Sequence, residues 1–374
     1  MSYISSIRLN NFRNLGNQEV NLSNLANVFI GPNGAGKTNL IESVSLISPG
    51  RGLKKEILNK ISNFNSKDPW VIHLKYNKKN MPVLEIACTY EVNKTGTNTK
   101  RILINGNKEK KIFEQESIPN LIWFTPDMER LFNGSPSLRR NFIDRIVFSF
   151  DKKILIELNS YTKLLKERKK ILETNNFDEN WLNEVENKIV LLGTSIIKKR
   201  IHTIYLLNEI FDKKFESKKL NNCNLNITGY IEELYLDRKN INFEEVYLNE
   251  LKKSRNSDRF KGGCSVGPHK SDFKVLFRKN KIYAEYCSTG QQKEIILNIL
   301  LCQAYALIQK NNTSPIVLLD EICSHLDETT RSILLYFIEW LKIQVLMTGN
   351  DEKLFSFLSK KAKFFYVKDG IVNY

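Results

Sequence analysis

The chain has 374 residues, of which 41% are hydrophobic and 26% are charged. This length exceeds the roughly 250 to 300 residues at which one hydrophobic core stops growing, so two domains or lobes are expected. The composition is that of a globular protein and excludes a disordered or fibrous chain. The formal net charge of +16 favours a polyanionic partner such as nucleic acid, although abundant solvated lysines would give the same balance.

The six cysteines are scattered without a Cys-x-x-Cys spacing, so neither a zinc knuckle nor a disulfide framework is indicated. Residues 295–308 form the most apolar stretch, which is too short and too polar to span a bilayer. The N-terminus has no long apolar run behind a basic start. We therefore expect a cytoplasmic protein that has reduced thiols and no membrane association.

The N-terminal part of the chain contains short β-branched or aromatic runs, which predict strands. These runs cover residues 4–9, 27–30, 71–76, 83–90 and 101–104. One helix is expected after the first glycine cluster, and Asn105-Gly106 is a favoured hairpin turn. The pattern predicts a mixed α/β lobe.

From about Arg139 to Phe215, apolar residues are spaced alternately by three and four, which indicates helices. Two stripes stand on either side of the polar segment 173–180: Ile154, Leu158, Tyr161 and Leu165, then Leu182, Val185, Ile189, Leu192 and Ile196. They predict an antiparallel helical hairpin that resembles a short coiled coil. Two ordinary amphipathic helices packed on a core would show the same spacing.

The C-terminal part returns to α/β character. It contains a helix after Gly290, a strand at 316–319, a helix after Glu328 and a strand at 344–347. We expect an α/β head built from both chain ends, over residues 1–125 and 262–374. An inserted, mainly helical lobe is expected at 126–261.

The segment Gly31-Pro-Asn-Gly-Ala-Gly-Lys-Thr38 matches the pattern G-x-x-x-x-G-K-[ST] and lies between an apolar strand and a helical run. In such a P-loop, backbone N–H groups close around phosphate oxygens, and the helix N-terminus adds a favourable dipole. Lys37 is predicted to reach the β- and γ-phosphates of ATP, and Thr38 to bind Mg²⁺. The predicted cofactor-binding residues here are Gly31, Pro32, Asn33, Gly34, Ala35, Gly36, Lys37 and Thr38.

The segment Ile316-Val-Leu-Leu-Asp-Glu321 is typical of a buried parallel strand that ends at a catalytic edge. Asp320 is predicted to share the Mg²⁺ with Thr38. Glu321 is predicted to orient or deprotonate the attacking water, which makes Glu321 and Lys37 the candidate catalytic residues. Because this segment lies far from Lys37 in the sequence, a large insertion must separate the two motifs.

The segment Cys287-Ser-Thr-Gly-Gln-Gln-Lys293 opens the apolar helix that precedes this strand. Ser288 and the N–H of Gly290 would stand at a helix N-terminus, where an anion can bind. A serine that only caps the helix would use the same residues.

The pattern S-x-G-Q at this place resembles the signature motif of ATP-binding-cassette (ABC) ATPases. That resemblance implies that Ser288, Gly290 and Gln291 contact the γ-phosphate held by the P-loop of the partner protomer. Ser324-His-Leu-Asp327 resembles the D-loop of these proteins, which adds Asp327 to the nucleotide-binding residues. Thr348-Gly349 occupies the switch position.

The whole chain resembles the RecF family, on stretches that ATP binding alone does not demand. These are Asn11-Phe-Arg-Asn-Leu15, Asn39-Leu-Ile-Glu42, Ser48-Pro-Gly-Arg-Gly52, Thr125-Pro-Asp127, Pro136-Ser-Leu-Arg-Arg140 with Asp144, and Gly267-Pro-His-Lys-Ser-Asp272. The first stretch adds Arg13 to the predicted nucleotide-binding residues. The implied fold is an ABC-type P-loop ATPase head, built from the N- and C-terminal segments around the helical lobe.

The resemblance also implies a function. It is that of an ATP-dependent homodimer that binds single-stranded, gapped or junction DNA and promotes RecA loading with RecO and RecR. Gap repair, replication restart and SOS induction are the implied processes, with a weak DNA-stimulated ATPase. Another DNA-associated ATPase of the SMC-like class, or an ATP-gated DNA clamp without significant turnover, are the alternatives.

The sequence departs from the family pattern at several positions. Lys270 and Lys293 stand where the family more often has Arg, and Ser271 replaces a usual Asp. A lysine offers a point charge in place of a planar fork of donors. Thr348 stands where transporter-type cassettes use His, and Gln115 is a candidate for the Q-loop glutamine.

Overall fold

The computed structural model describes residues 2–63, 66, 68–92, 96, 98–108, 118–174, 178–215, 223–237, 242–311, 313–322, 328–358 and 361–374. The predicted D-loop segment with Asp327, and Gln115, lie outside the described residues. The chain divides into two compact units, one formed by Met1–Glu129 with Thr289–Tyr374 and the other by Arg130–Ser288.

The strands of the described residues are numbered in chain order. They are β1 Ser2–Asn10, β2 Gln18–Asn21, β3 Ala26–Ile30, β4 Val71–Lys78, β5 Leu84–Val92, β6 Asn98–Ile104, β7 Asn107–Lys108, β8 Leu121–Phe124, β9 Cys223–Thr228, β10 Asp272–Phe277, β11 Ile282–Tyr283, β12 Ile316–Leu319, β13 Gln344–Gly349, β14 Ala362–Lys368 and β15 Ile371–Asn373.

The α-helices are α1 Lys37–Ser45, α2 Pro136–Phe150, α3 Ile154–Glu173, α4 Glu179–Ile210, α5 Tyr230–Asp237, α6 Phe243–Lys261, α7 Thr289–Asn311 and α8 Glu328–Leu341. Among the described residues, none of these helices combines the length and apolar character that crossing a membrane requires.

The first unit contains a mostly parallel sheet with the strand order β15-β14-β3-β13-β12-β8. Each neighbouring pair from β14 to β8 is parallel, and β15 is antiparallel to β14. Every residue of β3, β12 and β13 is buried, as expected for strands covered on both faces. The sheet therefore joins N-terminal and C-terminal strands, which confirms the predicted head.

A second, antiparallel sheet of this unit has the order β2-β1-β4-β5-β6-β7. Asn105 and Gly106, with φ angles of 50° and 80°, make the turn between β6 and β7, as the Asn-Gly pair predicts. Lys100 of β6 donates hydrogen bonds to the carbonyls of Leu46, Ser48 and Gly50, just beyond α1. A cation at the end of a helix is favourable, so this lysine anchors the segment that follows α1.

The second unit contains α2 to α6 and the antiparallel sheet β11-β10-β9. Helices α3 and α4 run antiparallel, since Glu157 pairs with Lys199 while Arg168 pairs with Glu186. The expected helical hairpin is therefore present.

The boundary between the units differs from the predicted one at 261–262. Residues 262–288 belong to the second unit because β10 pairs with β9 along its whole length and β11 pairs with β10. Strand β9 carries a period-2 signal, in which Cys223, Leu225 and Ile227 are buried and the two intervening asparagines are exposed. That alternation marks the strand that holds the segment in place.

A buried ion-pair network, called here the Arg168 network, holds α3, α4 and α6 together. Arg168, 1% exposed, donates to Glu186 Oε1 at 2.9 Å, to Asp258 Oδ2 at 2.7 Å and to the carbonyl of Leu251 at 2.9 Å. Arg255 NH2 also donates to Glu186, at 2.6 Å from Oε2. Each buried charge has an opposite charge and hydrogen bonds, as burial requires.

We predict that Arg168→Met lowers the free energy of unfolding by about 3–5 kcal/mol, because it removes the cation that pairs with the buried Asp258 and leaves the buried Glu186 with Arg255 alone. Lys169→Met on the same helix is the control. Lys169 and Glu173 are about half exposed and 3.6 Å apart, so this pair contributes less than about 1 kcal/mol. Urea denaturation followed by circular dichroism measures both. Equal losses for the two variants would contradict a structural role for the network.

Candidate nucleotide site

The site lies at the carboxyl edge of the parallel sheet. Strand β13 lies between β3 and β12, so the segments that follow these three strands meet at one edge. The segments after β3 and β12 carry the P-loop and the carboxylates of Asp320 and Glu321, and the end of β13 carries Thr348, with Asn350 just beyond it. The amide of Gly31 donates to the carbonyl of Gly349 at 3.4 Å, which joins the P-loop to β13.

The backbone geometry of the P-loop explains why glycine occupies three of its positions. Gly34 and Gly36 have φ angles of 80° and 113°, in the region that favours glycine, and Gly36 precedes the first residue of α1. At Gly31, a Cβ atom would lie 2.0 Å from the carbonyl oxygen of Val367. The loop therefore has a backbone conformation that depends on glycine at these positions.

Asn14 and Gly370 brace the outside of the P-loop. The Asn14 side chain donates to the carbonyls of Gly34 and Ala35, at 3.2 and 3.1 Å, and accepts from Asn39 at 2.7 Å. The amide of Gly370 donates to Ala35 at 3.1 Å. These contacts occupy carbonyls on the outer side of the loop and fix its conformation.

Arg13, predicted to bind nucleotide, pairs with Glu42 of α1. Its Nε and NH2 atoms lie 2.5 and 2.7 Å from the two carboxylate oxygens, and Glu42 is fully buried. A bidentate pair of this kind is strong and directional, so Arg13 anchors α1. Its contact with nucleotide stays a prediction.

Lys37 is the first residue of α1 and is 4% exposed. Its Nζ donates to the carbonyls of Gly31 and Pro32 and to Asn350 Oδ1, at 2.7, 2.8 and 2.8 Å. Burial lowers the pKa of Lys37, whereas Glu321 and Asp320 act in the opposite direction. The lysine is thus held by the P-loop and by the segment after β13.

A chain of hydrogen bonds joins the two motifs. Thr38 and Thr348 donate to the same oxygen of Asp320, Oδ1, at 2.8 and 2.7 Å. The amide of Glu321 donates to the Thr348 hydroxyl at 3.0 Å. Glu321 has a φ angle of 51°, which is uncommon for a residue other than glycine.

The residues present fit a magnesium ion. A threonine hydroxyl and a carboxylate, 2.8 Å apart, offer the hard oxygen ligands that Mg²⁺ prefers. Both belong to short motifs on rigid elements, since Thr38 is in α1 and Asp320 follows β12. The fit supports the predicted metal pair, Thr38 and Asp320.

The signature segment stands at the start of α7. Ser288 directly precedes the helix, and Ser288 and Gly290 are exposed. A Cβ atom at Gly290 would meet nothing within 4 Å, so the helix start is open. Gln291 follows within the first turn, and the buried Lys293 pairs with Glu129 at 2.7 Å.

Two RecF-like stretches of the second unit interlock. Arg139 binds Asp272 through both carboxylate oxygens, at 2.6 and 2.9 Å. Arg140 donates to the carbonyl of Ser271 at 2.7 Å. Arg200 binds Asp144 and the carbonyl of Pro268. The stretches 136–144 and 267–272 are therefore parts of one structural unit.

The sequence interpretation missed Asn350 and Asn14. Asn350 directly follows β13, which contains the predicted strand at 344–347, and accepts a hydrogen bond from Lys37. A polar residue after the strand between the two motif strands was the available signal. Asn14 lies within a stretch noted only for its resemblance.

The chain is similar over most of its length to known proteins. A family model described as an AAA ATPase domain matches residues 2–326. The DNA replication and repair protein RecF of Rhizobium etli (strain CIAT 652) is 34% identical over 369 residues, which cover 99% of this chain and 98% of that protein. RecF of Rickettsia prowazekii (strain Madrid E) is 35% identical over 351 residues, covering 93% and 94%.

Solved structures of RecF proteins have the same fold as this chain. The recombination mediator protein RecF-ATPrS superposes with a TM-score of 0.83 and 25% identity, over 100% of this chain and 98% of that one. The structure of RecF-ATP superposes with a TM-score of 0.80 and 26% identity, over 100% of this chain and 99% of that one. An Smc head bound to the C-winged helix domain of ScpA shares the fold. Its TM-score is 0.55 and its identity 15%, over 99% of this chain and 96% of that one. From the sequence match over nearly its full length and the matching fold, this chain belongs to the RecF family.

Proposed function

We propose that this chain is an ATP-dependent DNA-binding protein of recombinational repair, which acts on single-stranded or gapped DNA and with RecO and RecR promotes RecA loading. The observation that carries the proposal is the hydrogen-bonded junction of Thr38, Asp320, Thr348 and Glu321 beside Lys37. The RecF proteins it resembles are named for DNA replication and repair, and a solved RecF is described as an ATP form in the RecFOR pathway.

The P-loop supplies the phosphate contacts. Its backbone amides and the start of α1 favour an anion, and Lys37 adds a positive charge beside them. Thr38 and Asp320 would hold Mg²⁺, which neutralises phosphate charge when bound. We assign to Glu321 the role of orienting or deprotonating the attacking water.

DNA is the proposed macromolecular partner. The net charge of +16 creates a field that attracts the phosphate backbone from a distance. Membership of a repair family selects nucleic acid among the polyanions that such a field attracts. Replication restart and SOS induction in the cytoplasm are the processes in which we place it.

The composite site is the second part of the proposal. Ser288, Gly290 and Gln291 stand at an exposed helix start, where the amides and the helix dipole favour an anion. We propose that they bind the γ-phosphate held by the P-loop of a second copy. ATP then closes a homodimer around two nucleotides, and the same contact would serve an ATP-gated clamp without turnover.

We predict ATP hydrolysis that gapped DNA stimulates. Lys37→Ala abolishes nucleotide binding, because it removes the P-loop charge. Glu321→Gln keeps ATP binding and lowers turnover by about 10²- to 10⁴-fold, the usual contribution of a general base. Titration with a fluorescent ATP analogue and a phosphate-release assay measure the two effects.

Glu339→Gln is the control for this experiment, because Glu339 pairs with Lys361 on the surface, outside the site. It retains wild-type binding and turnover. A wild-type chain that binds no ATP refutes the nucleotide assignment. ATP and DNA binding without turnover would select the clamp in place of the ATPase.

For the composite site we predict that Ser288→Arg spares ATP binding and prevents the ATP-dependent dimer, because it puts bulk and charge at the helix start that faces the partner. Ser332→Arg, at an exposed position of α8, is the control and dimerises like wild type. Light scattering after size exclusion, with and without an ATP analogue, measures the mass. If Ser288→Arg dimerises normally, the serine only caps α7.

A further inference from the structure

Thr348 lies between the metal-binding and the water-activating residue of the proposed site. We propose that it is a positioning residue, whose single hydroxyl sets the carboxylate of Asp320 and the backbone of Glu321 at the same time. The inference rests on the proposed ATPase function and deepens it.

The hydroxyl of Thr348 is used in both directions. It donates to Asp320 Oδ1 at 2.7 Å and accepts from the Glu321 amide at 3.0 Å. The residue is fully buried, so water does not compete for either bond. A hydroxyl can donate one hydrogen bond, and here Asp320 accepts it. The same hydroxyl therefore links Asp320 to the backbone of Glu321.

The Asp320 contact fixes the carboxylate for Mg²⁺. Its Oδ1 atom also accepts from Thr38 at 2.8 Å, so a hydroxyl from α1 and a hydroxyl from β13 converge on one oxygen. Groups that hydrogen-bond to a metal ligand orient it and tune its affinity. Loss of the Thr348 donor leaves Thr38 as the hydroxyl that holds this oxygen.

The Glu321 contact fixes the direction of the proposed base. Glu321 has a φ angle of 51°, which turns the chain sharply after β12. Its amide is tied to Thr348 at the turn itself, so the hydrogen bond holds this uncommon conformation. Strand β13, which neighbours β12, thus positions the backbone that carries the Glu321 side chain.

The strand register explains why position 348 has this role. Leu319 pairs with Met347, so the next residues, Asp320 and Thr348, are neighbours at the sheet edge. A Cβ atom at Gly349 would lie 2.3 Å from Phe355, which excludes a side chain at the following position. Thr348 is therefore the residue at this end of β13 that can contact both Asp320 and Glu321.

The test compares Thr348→Val, which keeps the shape and removes the hydroxyl, with Thr348→Ser, which restores it. The affinity for an ATP analogue is measured with Mg²⁺ and with EDTA, and kcat and KM are measured with gapped DNA. For the valine variant we expect kcat and the Mg²⁺-dependent gain in affinity to fall by about 10- to 100-fold each. The affinity in EDTA stays unchanged, and serine recovers most of both quantities.

Thr194→Val is the matched control. Thr194 is 2% exposed in α4, and its hydroxyl has no hydrogen-bond partner among the described residues. This variant should match wild type in every measurement. Melting temperatures without nucleotide show whether Thr348→Val remains folded.

The outcomes separate the inference from the proposed function. If wild type binds and hydrolyses ATP and Thr348→Val does the same with unchanged Mg²⁺ dependence, the inference is overturned and the function stands. If the valine variant loses affinity equally with Mg²⁺ and with EDTA, the hydroxyl has only a structural role, which also overturns it. If wild type binds no ATP, the proposed function fails first.

Discussion

The hydrogen bond between Thr38 and Asp320 joins the two sequence motifs of the proposed nucleotide site. Its partners come from opposite ends of the chain, and they meet because β3, β13 and β12 are parallel neighbours in one sheet. Those strands are completely buried, so hydrophobic burial positions a polar contact at the carboxyl edge of the sheet. The chain between the two partners includes the whole second unit, Arg130–Ser288.

The buried charged groups of the site, Lys37 and Asp320, are stabilised by hydrogen bonds. Lys37 is held by three oxygen atoms, and Asp320 accepts two hydroxyl bonds. Such pre-arranged polar groups need little reorganisation when charge develops on a bound phosphate. The Arg168 network applies the same rule to the helical hairpin, where paired charges fix the packing of three helices.

The sequence predicts the elements that have a local pattern. The strand at 316–319 matches β12, and the P-loop lies between β3 and α1 as its motif requires. Contacts between single polar residues distant in sequence, such as Asn350 with Lys37, have no such pattern. Only the strand order reveals them, and the strand order depends on pairing across the inserted unit.

A double-mutant cycle between Thr38→Ala and Asp320→Asn tests the central claim most directly. The measured quantity is the free energy of binding an ATP analogue in the presence of Mg²⁺. If both residues act on one ion, the effects are not additive, and the coupling energy is about 0.5–3 kcal/mol. Losses that add within about 0.5 kcal/mol would mean that the two residues act independently, which would contradict this account of the site.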